Sequence, residues 1–411
     1  AGLGTVGAGV IRLLDTNAKL IAARAGRAIE VVAVSARDRG KDRGVDIGRF
    51  AWEDDMTALA RRADVDVVVE LVGGSDGPAL ALSRAALGAG KGLVTANKAM
   101  IAHHGLELAE LAEGAGAALK FEAAVGGGIP VIKGLREGTS ANALTKVYGI
   151  LNGTCNYILS KMEDTGADFA EVLSEAQQLG YAEADPTFDI EGIDAAHKLA
   201  ILAAIGFGAR IDFDAVHVTG ITRVGAADIA QADALGFAIR LIAQADVEMT
   251  DTGPMLLQRV RPCLVSKAHP LSGVDGPTNA VVAEGNFVGR LFFEGAGAGD
   301  GPTASAVVAD IIDVARDEYG PAFAMPVDQL DAEHQAATAH VAHPGKLALQ
   351  GQQVLAQVGN FQKRCGGIGR GHGGGWVQDG VHALTSAGSA CSSRCRQRTM
   401  RRGPAASSAG M

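Results

Sequence analysis

Apolar residues in the opening stretch recur at helical intervals. Val6, Val10, Leu13, Leu14 and Ile21 fall near one face, and this period predicts a helix from residue 6 to about 25. Short apolar runs then punctuate the chain at 30–35, 66–72, 92–95 and 117–122, the second ended by Gly73-Gly74. Helical patterns over 79–87 and 99–114 separate them. Alternation of this kind through 120 residues predicts βαβ units around a parallel sheet. Beyond residue 140 the pattern changes. It predicts a strand at 147–151 and helices at 156–165, 169–179, 192–206 and 226–235. Short strands follow at 238–243, 247–250, 256–262, 280–284 and 289–294. This second part reads as α+β with a mixed sheet, and a last helix at 302–316 is expected to pack back on the first part.

Composition narrows the choice. The 411 residues carry 37 basic and 46 acidic side chains, a net −9 that argues against nucleic acid or an anionic membrane as partner. The longest apolar run, near 199–207, is about half a membrane span. Five cysteines are too few for a disulfide framework, and no signal-peptide pattern is visible, so a reducing cytoplasm is the expectation. With 56 glycines and 4% aromatics, the chain suits close backbone packing around glycine-rich loops.

The two ends differ from the rest. Gly2-Leu3-Gly4-Thr5-Val6-Gly7 follows a single alanine where a hydrophobic strand is expected, which reads as an N-terminal truncation. That strand is central in a doubly wound sheet, so its loss would leave two neighbours unpaired and the loop unanchored. From about residue 346 the periodicities fade. Residues 364–411 are basic and rich in Gly, Ser and Arg, and hold Cys365, Cys391 and Cys395. They read as a disordered tail or as a coding sequence out of frame. Cys391 and Cys395 with His372 and His382 do not have the spacing of a zinc finger.

Gly2, Gly4 and Gly7 fit the dinucleotide fingerprint: one glycine turns the chain, one admits the pyrophosphate, and one lets helix approach strand. The helix starting at Thr5 or Val6 aims free N–H groups at phosphate. The second strand ends Val34-Ser35-Ala36-Arg37, with no acid at its tip. Arg37 suits a 2′-phosphate, which favours NADP or dual use over strict NAD, although Asp38 is adjacent.

Two lysines stand out. Lys98 follows Thr95-Ala96-Asn97 just past a strand's carboxyl end, where open parallel sheets bind ligands. Lys198 lies one turn after Asp194 on a largely apolar helix, so the two share a face. Burial and a neighbouring carboxylate act on an ammonium in opposite directions, so such a pair can exchange protons near neutrality. An ordinary helical salt bridge explains the spacing equally well. Upstream, Glu183, Asp185, Asp189 and Glu191 crowd one loop, able to hold a cationic amine or a metal, or simply solvated.

The run Ala176-x3-Gly180-Tyr181-Ala182-x2-Asp185-Pro186-x2-Asp189-Ile190-x-Gly192-x-Asp194-x3-Lys198 resembles the signature of homoserine dehydrogenases. GLGTVG at 2–7, TANK at 95–98, FEAAVGGGIPVI at 121–132, GILNGTCNYIL at 149–159 and GAGAGDGPTASAVV at 295–308 agree with it. The resemblance covers about residues 1–330. It implies reversible hydride transfer between L-homoserine and L-aspartate 4-semialdehyde with NAD(P), in threonine, methionine and isoleucine biosynthesis. Lys198 would donate the proton, with Lys98 between nicotinamide and substrate and in contact with cofactor. Glu183 and Asp194 would bind substrate. Gly2, Gly4, Thr5, Val6, Gly7, Arg37, Gly180 and Gly295 would contact cofactor. Glu122 and the carbonyls of Val125, Gly127 and Ile129 would ligate a structural Na+, as oxygen-only ligands suit a hard cation. A homodimer or homotetramer through the second part's sheet is implied.

These readings divide the chain into a dinucleotide-binding domain at 1–130 with its first strand missing and a substrate-binding and dimerisation domain at 131–300. A returning helix at 301–330 and an atypical tail at 331–411 complete it. The tail stands where many family members carry an ACT-type regulatory domain; only His340-Val341-Ala342-His343-Pro344-Gly345 resembles its opening, which puts threonine feedback in doubt. Two other readings compete: a thiol-dependent aldehyde dehydrogenase using Cys155, or an inactive truncated fragment.

Overall fold

The computed structural model describes residues 1–251, 253–330 and 355–357. Helix α1 (Thr5–Thr16) starts directly after the glycine loop and α2 (Ala18–Ala25) follows it. One continuous helix was the expectation. The break falls at Asn17, which leaves helical geometry while its N–H still bonds the Leu13 carbonyl; asparagine competes with the helix for its own backbone.

Strands β1 (Ala33–Val34) and β2 (Ala51–Trp52) pair in parallel, and α3 (Ala58–Arg61) follows. Strand β3 (Val67–Glu70), helix α4 (Pro78–Gly88), strand β4 (Gly92–Thr95), helix α5 (Lys98–Ala115) and strand β5 (Leu119–Lys120) complete the expected alternation. The order β3-β4-β5 is parallel throughout. Ala1 and Gly2 join the two small sheets. Leu71 N–H donates to the Ala1 carbonyl at 2.9 Å, and Gly2 N–H donates to the Ser35 carbonyl at 2.9 Å. Residues 1 and 2 thus hold each side by a backbone hydrogen bond and anchor the glycine loop, contrary to the expectation for the loop, while among the described residues no strand pairs between β1 and β3, as expected.

Short helix α6 (Val131–Lys133) leads into the second sheet. Its strands are β6 (Leu144–Ile150), β7 (His217–Val218), β8 (Phe237–Thr250), β9 (Gly253–Ser266), β10 (Thr278–Gly285), β11 (Gly289–Ala296) and β12 (Leu355–Gln357). The order is β11-β10-β6-β8-β9-β12, antiparallel along that path, and β7 adds a parallel pair with β9. Helices α7 (Gly153–Thr165), α8 (Phe169–Gln178), α9 (Thr187–Ile190), α10 (Ile193–Phe207) and α11 (Ala226–Ala234) accompany it. Strand β8 is one long strand where two short ones were expected. Asp246 interrupts the apolar run, yet it stays in the ladder because Arg259 and Gln244 each bond its carboxylate at 2.8 Å.

Helix α12 (Asp300–Ala315) returns to the first part, as expected. Val307, Ile311 and Val314 join Val10, Leu14 and Val94 in one buried cluster. Helices α12 and α1 approach closely at Gly9: a Cβ there would lie 3.0 Å from the Asp300 carbonyl oxygen, so an alanine would fit only if α12 gave by a few tenths of an ångström. No helix among the described residues is long and apolar enough to cross a membrane. Almost all of the atypical tail, with His340, His343, Cys365, Cys391 and Cys395, lies outside the described residues.

Candidate functional site

At the first crevice, Gly2 has φ +86°, and a Cβ on it would meet the Leu71 carbonyl oxygen at 2.4 Å. A Cβ on Gly7 would lie 2.1 Å from the Gly2 carbonyl oxygen, so only glycine lets α1 start this close to the strand end. Gly4 is different: nothing lies within 4 Å of its Cβ position. Gly4 also caps α1 without any side-chain bond, so the first-turn N–H groups of Thr5 and Val6 face open space. A pyrophosphate fits this arrangement. The cavity there is about 330 Å3 and is lined in part by Leu3, Gly4, Thr5, Lys41 and Arg43. Arg37 is exposed at the end of the second strand. Arg43, which sequence reasoning passed over, reaches across and donates from Nε to the Leu3 carbonyl at 3.1 Å. The basic run after the second strand was the available signal.

Lys98 is positioned by a buried polar network. The Glu70 carboxylate, fully buried, accepts the N–H groups of Val72 and Gly73 and the Thr95 hydroxyl at 2.6 Å. Thr95 Oγ1 accepts the Asn97 N–H at 3.0 Å, and Asn97 Oδ1 accepts the Met100 N–H as cap of α5. Lys98 is then the first residue of α5, and its Nζ lies 3.2 Å from Asp194 Oδ1.

Asp194 sits in the first turn of α10, where the helix dipole favours a negative charge. Its other oxygen accepts the Lys198 ammonium at 2.8 Å, and that ammonium also donates to the Leu151 carbonyl at 2.7 Å. Asp194 and Lys198 side chains are 7% and 11% exposed, whereas Lys98 is 34% exposed. Burial opposes ionisation of Asp194, but Lys198 and Lys98 override it and hold the carboxyl well below the usual range. One carboxylate thus sits between two ammoniums, with one lysine buried and the other opening to solvent.

Asp189, on α9, joins this group. Asn152 donates to it at 2.8 Å and Thr154 at 3.1 Å, and burial together with Asp194 pushes its carboxyl up. Sequence reasoning counted Asp189 only as one of four clustered acids, and missed Asn152. The signal for Asn152 was its place as cap of α7. Glu183, by contrast, is exposed on the loop between α8 and α9. Gly180 follows α8 with φ +78°, and Gly295 lies in β11 against Ile129. Cys155 is fully buried, its Sγ bonds the Asp189 carbonyl at 3.1 Å, and burial and Asp189 push its thiol well up. Such a thiol is a poor nucleophile.

Glu122 lies at the join of the two parts. Its carboxylate accepts the N–H groups of Ile132 at 2.9 Å and Lys133 at 2.8 Å. Burial and Asp310 push it up to about 7. Gly126 and Gly127 have φ +72° and +54°, turning the backbone through the segment that carries the Val125, Gly127 and Ile129 carbonyls. Both Glu122 oxygens thus accept backbone N–H groups, and the Ile129 carbonyl accepts the Val131 N–H at 2.7 Å; oxygen ligands of this kind are the type a small hard cation takes.

The family model described as homoserine dehydrogenase matches residues 130–312, and its NAD-binding domain matches residues 2–122. Homoserine dehydrogenase of Pseudomonas aeruginosa is 50% identical over 315 residues, 77% of this chain and 71% of that protein. The Synechocystis enzyme is 48% identical over 316 residues, covering 76% and 72%. The crystal structure of a homoserine dehydrogenase from Thiobacillus denitrificans superposes with TM-score 0.76 at 45% identity, covering 80% of this chain and 77% of that one. A hyperthermophilic archaeal homoserine dehydrogenase in complex with NADPH superposes with TM-score 0.64 at 27% identity, covering 76% and 95%.

Proposed function

The chain belongs to the homoserine dehydrogenase family, an NAD(P)-dependent oxidoreductase family, and from that premise we propose how its own residues carry the interconversion of L-homoserine and L-aspartate 4-semialdehyde. The observation that carries the reading is the buried Lys198 ammonium. Two of its three protons are committed to Leu151 and Asp194, and the third is left for substrate. When bound, the nicotinamide supplies or accepts the hydride. In the reducing direction negative charge gathers on the aldehyde oxygen. The Lys198 ammonium stabilises that charge and passes its proton to the oxygen. Lys98, the more exposed of the pair, supports the charge and opens the group to solvent protons. Asp194 and Asp189 face the substrate's ammonium, with Glu183 at the outer edge of the loop.

Gly2, Gly4, Thr5, Val6 and Gly7 would hold the pyrophosphate, and Gly180 and Gly295 would contact the cofactor further along. Arg37 would meet a 2′-phosphate, aided by Lys41 and Arg43. The purified chain is expected to oxidise NADPH with L-aspartate 4-semialdehyde. Arg37→Ala should raise the KM for NADPH by about tenfold, the worth of one charge-assisted hydrogen bond, and leave that for NADH unchanged. An equal effect on both cofactors would remove Arg37 from the phosphate site.

Glu122 with the carbonyls of Val125, Gly127 and Ile129 would hold Na+ as a structural ion. Exchanging Na+ for choline at constant ionic strength should lower the melting temperature by about 2–4 °C for each kcal/mol of binding lost. Glu122→Gln should remove that dependence; a melting temperature indifferent to the exchange would dismiss the ion. We place the enzyme in the cytoplasm, as a homodimer or homotetramer through the second sheet. Among the described residues its strand β11 has one edge that no strand pairs, and Phe287 in the turn before it is 89% exposed. Such an edge invites a partner.

A further inference from the structure

Asn152 stands where strand β6 passes into helix α7, and its residue is 4% exposed. Its Oδ1 accepts the Cys155 N–H at 2.8 Å, an ordinary helix cap. Its Nδ2 does something less ordinary. One of its protons goes to Asp189 Oδ1 at 2.8 Å and the other to Asp194 Oδ2 at 2.9 Å. The whole donor capacity of the amide is spent on two carboxylates from two different helices. Asp194 Oδ2 is the same atom that accepts the Lys198 ammonium. The preceding residue, Leu151, offers that ammonium its carbonyl. The dipeptide 151–152 therefore touches every member of the buried group except Lys98.

Two carboxylates this close repel, and each favours protonation of the other. A neutral donor between them offsets that repulsion without adding a charge that would compete for the substrate's ammonium. We propose that Asn152 is a positioning residue for the reaction: its amide clamps Asp189 and Asp194 at one spacing, so that both face the substrate's amino group while Asp194 keeps Lys198 aimed. This inference rests on the function proposed above.

Asn152→Asp separates clamp from cap. Aspartate caps a helix as well as asparagine does, so the start of α7 is kept and any fall in melting temperature reports the added carboxylate repulsion. The substitution puts a third carboxylate oxygen where a donor stood. The kcat/KM for homoserine is expected to fall by about 100-fold at pH 8–9, the scale of a lost hydrogen bond to a charged group. The deficit should narrow toward pH 6, where the introduced carboxyl takes up a proton and regains a donor. A deficit independent of pH, or none, would overturn the clamp. If this variant does not fold, Asn152→Ser still caps but is too short to reach both carboxylates. It should raise the KM for homoserine at least tenfold and leave that for NADP+ unchanged; a normal homoserine KM would overturn the proposal. An inactive wild type would sink the assigned reaction and this inference together. An active wild type matched by Asn152→Asp at every pH would sink this inference alone.

Discussion

Lys198→Ala is expected to lower kcat in aldehyde reduction by about a thousand-fold, within the range for loss of a positioned general acid. The variant should fold. Removing the ammonium does not orphan Asp194, because Asn152 still donates to it at 2.9 Å and Lys98 remains 3.2 Å away. The KM for NADPH should stay near the wild-type value, since the glycine loop is held by backbone bonds to the strand ends rather than by Lys198. Lys198→Arg gives the sharper comparison. A guanidinium keeps the positive charge but does not release its proton near neutrality. If charge alone mattered, arginine would restore most of the rate; if the proton matters, it will not. We expect the second outcome. A fully active alanine variant would remove Lys198 from the chemistry.

Asp194→Ala is expected to be costly twice. The substitution leaves Lys198, whose side chain is 11% exposed, without a counter-charge. Breaking a buried pair from one side costs about 3–5 kcal/mol, because the remaining charge has lost both solvent and partner. The urea midpoint should fall with little change in slope. The rate should fall at least as far as in Lys198→Ala, because Lys198 then loses both its aim and its counter-charge. Asp194→Asn serves as control: it preserves shape and an acceptor for Lys198 but not the counter-charge, so stability should return only in part while kcat does not. A stable Asp194→Ala protein with normal kcat would place the substrate away from this carboxylate.

Cys155 illustrates what the two levels of description each decide. From its neighbours in the chain the thiol was a candidate nucleophile. Its burial, and the Asp189 and Asp194 carboxylates near it, set that chemistry aside. Comparison with known homoserine dehydrogenases points the same way. Glu183 illustrates the reverse case. The acidic loop was visible in the chain, but a loop sequence does not say which carboxylate turns inward. The structure turns Asp189 toward Asn152 and leaves Glu183 exposed. The long strand β8 was divided in two because Asp246 reads as a polar interruption, and only Arg259, thirteen residues away, makes it a ladder residue.

By itself the amino-acid sequence determined the periodic elements of both parts, the glycine loop, and the Asp194–Lys198 pair. These are local facts: a helical period, a close approach that excludes a Cβ, and a spacing of one turn all act within a few residues. Tertiary structure alone decided that Lys98 meets Asp194, that Arg43 reaches Leu3, and that Asn152 joins Asp189 to Asp194 across separations of 37 and 42 residues. Such contacts depend on how sheet and helices pack, and packing is set by the summed burial of many side chains. No short stretch of sequence contains that sum.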